Sequence, residues 1–389
     1  MNINIHFTEE DRERIERDWT AWWAGELDKP IVVIKTVDTL FNSAPEEFSR
    51  EFLLEKHVNK VIDYFQVRLE ATHFYGDALP TWWPNLGPGI VTGFLGGKVE
   101  PRADQHTVWF EVDEPVPVED LHFVYDANNV WWQRVLNLTR AAVERWGNRI
   151  SVAHTDLGGI LDILASFRTA NQLLYDLYDI PDEVIRLTGE IRALWLRYYD
   201  ELHGIIKKAG RGTTNWAAVW SPERTYMHQC DFSYMISPKM FERFVLPDLA
   251  ACFEQLDHAF YHLDGKGQIA HLDMLLSLES LAGIQWIPGA GQPEADQWLS
   301  LLKRIRDAGK LCQVFVSEGG ARTIVRELGG RGFALFITPR AYSIEEYTLS
   351  QTGIQPISDT EAEDFLKVLA AEDISLQGKK VSPAQKNND

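Results

Sequence analysis

Two copies of one short pattern carry the clearest chemical signal in this chain: His154-Thr155-Asp156 and His262-Leu263-Asp264. Each ends a short apolar run of strand-like composition. In a strand, residues i and i+2 point to the same face. Each pair would then hold an imidazole and a carboxylate side by side. Such a pair can ligate a metal, act as general base with its orienting carboxylate, or clamp a polar substrate. It can also do no more than satisfy its own hydrogen bonds. The second copy runs into Gly265-Lys266-Gly267, which adds a cation. Further polar residues fall at the ends of later apolar runs: Gln285 with Trp286, Ser317 with Glu318, and Thr338 with Arg340 just beyond. The loop expected after 213–220 adds Trp220, Arg224, His228 and Asp231. Trp82 and Trp83 lie in a Gly/Pro-rich stretch, 78–98. With Trp220 they would form an aromatic wall able to stack on a flat ligand or a sugar, or else pack inside. Of the three cysteines, Cys252 falls on an apolar helix face and Cys312 on an apolar strand. Cys230, beside His228 and Asp231, is the one placed to act as a ligand. No two have the spacing of a disulfide framework or a redox motif.

The elements that must position these groups are legible from residue 149 onward. Strand-like runs at 149–156, 213–220, 258–265, 282–289, 310–317 and 331–338 alternate with helical stretches at 157–208, 237–257, 268–280, 293–308, 320–328, 343–350 and 358–372. That rhythm predicts parallel βαβ units. With an earlier strand at 30–36 and a strand-like run at 107–116, the count predicts an α/β fold of the TIM (β/α)8 type. Helices are also expected at 8–24, 55–72 and 127–146. No G-x-G-x-x-G follows a strand, which argues against a doubly wound nucleotide fold. Within 237–257, Ser237 and Pro238 read as a helix start and Pro247 as a kink. One domain is expected over 1–376, with an N-terminal helical extension over about 1–29, a Trp/Gly/Pro-rich loop and a polar tail at 377–389. In parallel α/β folds the site lies at the carboxyl ends of the strands, so the residues above are expected at one mouth.

Charge narrows the partners. The 389 residues carry a net charge of −19, which argues against a nucleic acid or an anionic membrane as ligand. No signal peptide or apolar membrane span is evident, so a cytoplasmic protein is expected. No Walker loop, serine-nucleophile motif or zinc-finger spacing occurs.

Several segments resemble the uroporphyrinogen decarboxylase superfamily. They are Asp156-Leu-Gly-Gly, Ile160 to Arg168, Leu174 to Asp182, Asp231 to Pro247 with its Ile-Ser-Pro-Lys-Met-Phe core, and Tyr261-His-Leu-Asp-Gly265. The resemblance covers roughly 150–340 and implies a TIM barrel. It also implies one of two activities: cofactor-free decarboxylation of uroporphyrinogen, or zinc-dependent methyl transfer between a corrinoid protein and a thiol. The decarboxylases' Arg-Gln-Ala-Gly-Arg signature has no counterpart here. The methyltransferases' His-x-Cys-Gly aligns with His262-Leu-Asp264-Gly265, with Asp in place of Cys. Their second Cys falls near Ile337-Thr338-Pro339-Arg340. The expectation is therefore a methyltransferase acting on a small methylated substrate, with the corrinoid supplied by a partner protein. Its catalytic groups would be His262, Asp264, His154 and Asp156. Zinc, if bound, would be held by His262, Asp264 and Glu318 or Glu279. Substrate would meet Trp82, Trp83, Trp220, Arg224, His228, Asp231, Lys266, Gln285 and Trp286. The alternative is a cofactor-free decarboxylase of a tetrapyrrole-like substrate. Arg168, Arg224, Arg340 and Lys266 would hold its carboxylates, and His262 or Asp231 would supply the proton. A third reading is a non-catalytic barrel binding a sugar or aromatic ligand through tryptophans. A homodimer is compatible with each.

Overall fold

Burial on both faces explains why the late strands are so apolar. The computed structural model describes residues 3–37, 45–338 and 358–380, so Arg340 and the helix expected at 343–350 lie outside the described residues. The strands are β1 (Ile31–Val37), β2 (Thr72–Gly76), β3 (Thr81–Trp82), β4 (Glu100–Arg102), β5 (Thr107–Trp109), β6 (Ser151–Val152), β7 (Thr213–Thr214), β8 (Trp220–Ser221), β9 (Thr225–His228), β10 (His258–Asp264), β11 (Leu281–Ile287), β12 (Leu311–Val316) and β13 (Phe333–Ile337). Seven of them make one sheet in the order β2-β1-β13-β12-β11-β10-β9. Every neighbour in it is parallel except the β1–β2 pair. The fold is thus mixed α/β around a central, mostly parallel sheet. Shorter pairings accompany it. β3 runs parallel to β6, Ala153 N donates to Trp82 O at 2.8 Å, and His154 N donates to Thr214 O at 3.3 Å.

The helices are α1 (Glu9–Trp23), α2 (Val58–Glu70), α3 (Val91–Phe94), α4 (Val130–Trp146), α5 (Ile160–Arg168), α6 (Ala170–Asp179), α7 (Pro181–Ile206), α8 (Pro238–Phe244), α9 (Leu246–Phe253), α10 (Leu272–Leu276), α11 (Leu299–Asp307), α12 (Glu318–Leu328) and α13 (Asp359–Lys380). None of the described helices is long and apolar enough to cross a membrane. α1 starts where expected. Thr8 caps it, and Asp11 reaches back to the Thr8 backbone in a reciprocal box. The expected 237–257 helix splits at Val245, just before Pro247, because proline cannot continue the hydrogen-bond ladder. The stretch 157–208 is three helices rather than one. Thr169 takes a φ of +60° and ends α5 there.

Three expected strands differ from observation. The run 107–116 is a strand only over Thr107–Trp109, paired antiparallel with β4 outside the central sheet. The run 149–156 is a strand only over Ser151–Val152. Beyond it, the Thr155 hydroxyl donates to Pro84 O at 2.7 Å and the chain turns away. There Gly158 lies against Gly89, so closely that a Cβ at 158 would stand 2.5 Å from the Gly89 Cα. The run 213–220 is a hairpin. The Asn215 side chain accepts from Ala217 N at 3.1 Å and from Val219 N at 3.3 Å, the signature of an Asx turn. The strand that joins the sheet comes later, as β9.

Candidate active site at the strand ends

β10 has seven residues, long enough for alternation to hold. Phe260, His262 and Asp264 share one face, while Tyr261 and Leu263 take the other. In register, His262 stands opposite Gln285 of β11, and Gln285 opposite Gln313 of β12. All three are buried and form a relay. The Gln313 amide donates to Ala217 O at 3.1 Å, and the Gln285 amide donates to Gln313 Oε1 at 2.9 Å. Gln285 Oε1 is then left to accept from His262 Nδ1. A backbone carbonyl can only accept, so the Ala217 end sets the direction of the whole relay. His262 is thereby held as the Nδ1–H tautomer, with the Nε2 lone pair free of the relay. Burial lowers its proton affinity, and the nearby Asp264 offsets part of that. The Trp216 ring meets the imidazole edge-on, centroids 5.4 Å apart, with its own N–H anchored on Met227 O at 3.0 Å.

Asp231 opens the turn that follows β9. Asp231, His262 and Asp264 each offer one ligand atom, all within 4.8 Å of one another. Asp231 is open to solvent yet surrounded by protein mass, as a group lining a concavity would be. Its carboxyl is pushed up to about 7 by that surrounding and then by Asp264. Asp162 of α5 holds the turn: its carboxylate accepts from Phe232 N at 2.7 Å and Asp231 N at 3.0 Å. Burial, then Asp231, raise the Asp162 carboxyl to about 7. Gly159 makes this approach feasible, since a Cβ there would collide with the Asp162 carboxylate and Gln229 O. Asp156 accepts from Gly158 N at 2.9 Å, and burial, with Asp231 and Asp162 nearby, raises it to about 7. Asp231, Asp264 and Asp162 around one imidazole, with Asp156 behind them, make a strongly acidic pole.

The expected residues divide sharply around this pole. His262, Asp264, Asp231 and Gln285 come together. Lys266 is exposed just past β10, where the Tyr234 ring covers Gly265 and Gly267. His154 and Asp156 do not act as a side-by-side pair. The His154 ring stacks on Tyr199 of α7 at 4.5 Å, and burial lowers its pKa to about 3. His228 packs against Trp195 and Phe253, at 4.5 and 5.2 Å between centroids, and is likewise lowered to about 3. Arg224 precedes β9 and so lies at the amino end, bonded to Asp200 and to Gln255 O. A strand at 213–220 would place it at the mouth, but the strand that joins the sheet begins only at Thr225. Glu279 likewise precedes its strand, β11. Arg168 is buried against Asp176 at 2.6 Å.

Among the tryptophans, Trp82 is buried between Phe65 and Trp146, with Trp83 half-buried beside it. Trp220 is buried with its N–H on Arg211 O at 3.2 Å. Trp286 occupies the opposite face of β11 from Gln285 and packs on Trp298. Trp82 and Trp220 are therefore core, because they lie in short strands rather than open loops. Glu318 begins α12 and is not one of the three clustered ligand groups. Cys230 is buried, its thiol pushed well above the usual range. Three participants were not expected: Asp162, Gln313 and Trp216. Gln313 carried a signal, a lone amide in the apolar run Leu311-Cys-Gln-Val-Phe-Val316.

The fold and cluster define an α/β protein with an acidic, histidine-containing site at the carboxyl ends of parallel strands. No family model matches the sequence, and no curated protein matches it. Among solved structures, a methyltransferase from Methanosarcina mazei is similar in fold. The TM-score is 0.55 at 12% identity, over 93% of this chain and 99% of that one.

Proposed function

We propose that the chain is an enzyme of the uroporphyrinogen decarboxylase-like superfamily, a closed TIM barrel. It would transfer a methyl group from a small methylated substrate to a corrinoid carried by a separate protein. The observation that carries this reading is the Asp231–His262–Asp264 group at the strand ends. Support comes from the fold likeness to a methyltransferase and from the His-x-Asp-Gly motif at that point. One imidazole nitrogen and two carboxylate oxygens in reach of one another are a fitting donor set for zinc or another divalent ion. Burial first and mutual repulsion second raise the proton affinities of Asp231 and Asp162, and a bound cation would lower them. A bound ion would act as a Lewis acid on the heteroatom that loses the methyl group, and more strongly than one held by thiolates.

The protein's own residues do the rest. The glutamine relay fixes the imidazole so that Nε2, not Nδ1, is presented. Asp162 fixes Asp231 through two backbone N–H groups. Trp216 walls one side of the imidazole. The decarboxylase reading loses two anchors, since Arg168 and Arg224 are already ion-paired. Elemental analysis of protein purified without chelator tests the proposal, alongside methyl transfer to cob(I)alamin followed by absorbance. One equivalent of zinc, lost in His262→Ala together with turnover, is the expected result. Protein that binds no divalent ion and methylates no cobalamin from any donor would end it.

A further inference from the structure

Asp231 and Asp264 sit on the exits of two different strands, β9 and β10, and like charges within 4.8 Å repel. Contacts between the two exits must oppose that repulsion. The exit of β9 is the 3-10 turn Asp231–Met235. The exit of β10 passes through Gly265 into the 3-10 segment Lys266–His271. Two buried side chains of that segment reach back to the Asp231 turn, one on each side of Asp231. The Gln268 amide donates to Cys230 O at 3.3 Å, and its oxygen accepts from the Tyr261 hydroxyl at 3.2 Å. His271 Nε2 meets Ser233 O at 2.9 Å. A carbonyl can only accept, so the His271 proton is on Nε2. Asp162 already holds the amides of Asp231 and Phe232. Each residue from 230 to 233 therefore has a backbone group tied to a side chain from another segment. The Tyr234 ring adds a packing contact, since a Cβ at Gly267 would stand 2.6 Å from it.

The His271 ring stacks on Phe241 of α8, 4.4 Å between centroids and 6° between planes. A phenylalanine would make that contact with no polar atom to bury. His271 Nδ1 is buried and has no hydrogen-bond partner among the described residues, which is unfavourable. What the imidazole adds to the stack is one N–H, aimed at the Asp231 turn.

We propose that His271 and Gln268 are positioning residues. They join the Asp231 turn to the segment that follows Asp264, so that both carboxylates are spaced for a divalent ion before it arrives. This rests on reading the cluster as an ion site. Neither residue belongs to the clustered ligand groups; both act through the turn. An ion then meets donors already in place and does not have to draw two repelling loops together. The same seam makes the exits of β9 and β10 one unit, so displacement of either carries the other.

The test measures zinc affinity of the full chain by competition with a chelating dye. His271→Phe keeps the stack on Phe241 and removes the donor, and zinc should bind about tenfold more weakly or worse. Gln268→Leu should act in the same direction. His271→Gln keeps an N–H near the place of Nε2 and should restore most of the affinity. Loss of stability alone does not give this pattern: His154→Ala, away from the seam, should lower the urea midpoint and bind zinc as the wild type does. Wild-type zinc affinity in both His271→Phe and Gln268→Leu overturns the proposal. A second measurement needs no metal. Amide hydrogen exchange of peptides spanning 229–236, read by mass spectrometry in chelator-treated protein, should quicken about tenfold or more in His271→Phe. Peptides from β12 and β13 should not change. An unaltered rate at 229–236 also overturns the proposal. Wild type that binds no zinc, with exchange at 229–236 quickened in His271→Phe, would sink the ion reading and leave the seam standing.

Discussion

His154-Thr155-Asp156 and His262-Leu263-Asp264 have the same spacing and opposite fates. Around His262 the strand persists through Asp264, so both side chains project together and meet Asp231. Around His154 the strand stops at Val152. The imidazole turns to α7, and Asp156 turns back to the Gly158 amide. Spacing alone therefore does not make a pair; the length of the strand beneath it does. Surroundings complete the difference. His262 has a polar relay behind it, whereas His154 has an aromatic stack and a buried Nε2 without a hydrogen-bond partner among the described residues.

The largest test of this contrast replaces each histidine with alanine. His262→Ala should lower kcat by about 100-fold or more with little change in the urea midpoint. His154→Ala should keep its turnover and lose about 2–4 kcal/mol of stability through the cavity left beside Tyr199. The reverse pattern would invert the assignment of site and core. A smaller effect is expected from Gln313→Leu, which touches no ligand group but removes the far end of the relay. Zinc affinity should fall about 10–100-fold, as read by competition with a chelating dye. An unaltered affinity would show that the imidazole does not need the relay.

The smallest effect is on acid stability. His154 and His228 are lowered to about 3 in the fold, against about 6.5 unfolded. Between those values the unfolded chain binds more protons. Their contribution is therefore complete above about 6.5 and is lost as pH falls toward 3. His228→Phe should flatten this part of the stability profile, followed by urea unfolding at several pH values. A slope equal to that of the wild type would show that His228 is not held neutral.

The legible part of the molecule was its second half, where apolar runs of six or seven residues alternate with helices. That was enough to place His262, Asp264 and Gln285. It also places Asp231 at that mouth, but with Arg224 beside it, because the pattern predicts the strand at 213–220. The Asn215 turn delays the strand to Thr225, which brings Asp231 to the mouth and leaves Arg224 at the far end. The tryptophans misled for a related reason. Glycine and proline near Trp82 suggested a loop, but a two-residue strand suffices to sink that indole between α2 and α4. Asp162 is a tertiary effect. Its carboxylate faces backbone groups 69 and 70 residues away, a relation no local pattern carries. The decarboxylase-like motifs did include Asp162 and Asp231, although nothing in their spacing joined the two.

The carbonyl of Ala217 has a consequence for what can be exchanged in this protein. Glutamate nearly matches glutamine in shape, yet at 313 an ionised glutamate would bring two lone pairs face to face at Ala217. At 285 it would do the same against the amide oxygen of Gln313. Neither glutamine can rotate alone, so moving the imidazole proton to the other nitrogen requires both amides to turn over together. A hairpin carbonyl far along the chain from position 262 thus dictates which edge of a histidine is basic, and it does so with polarity rather than shape.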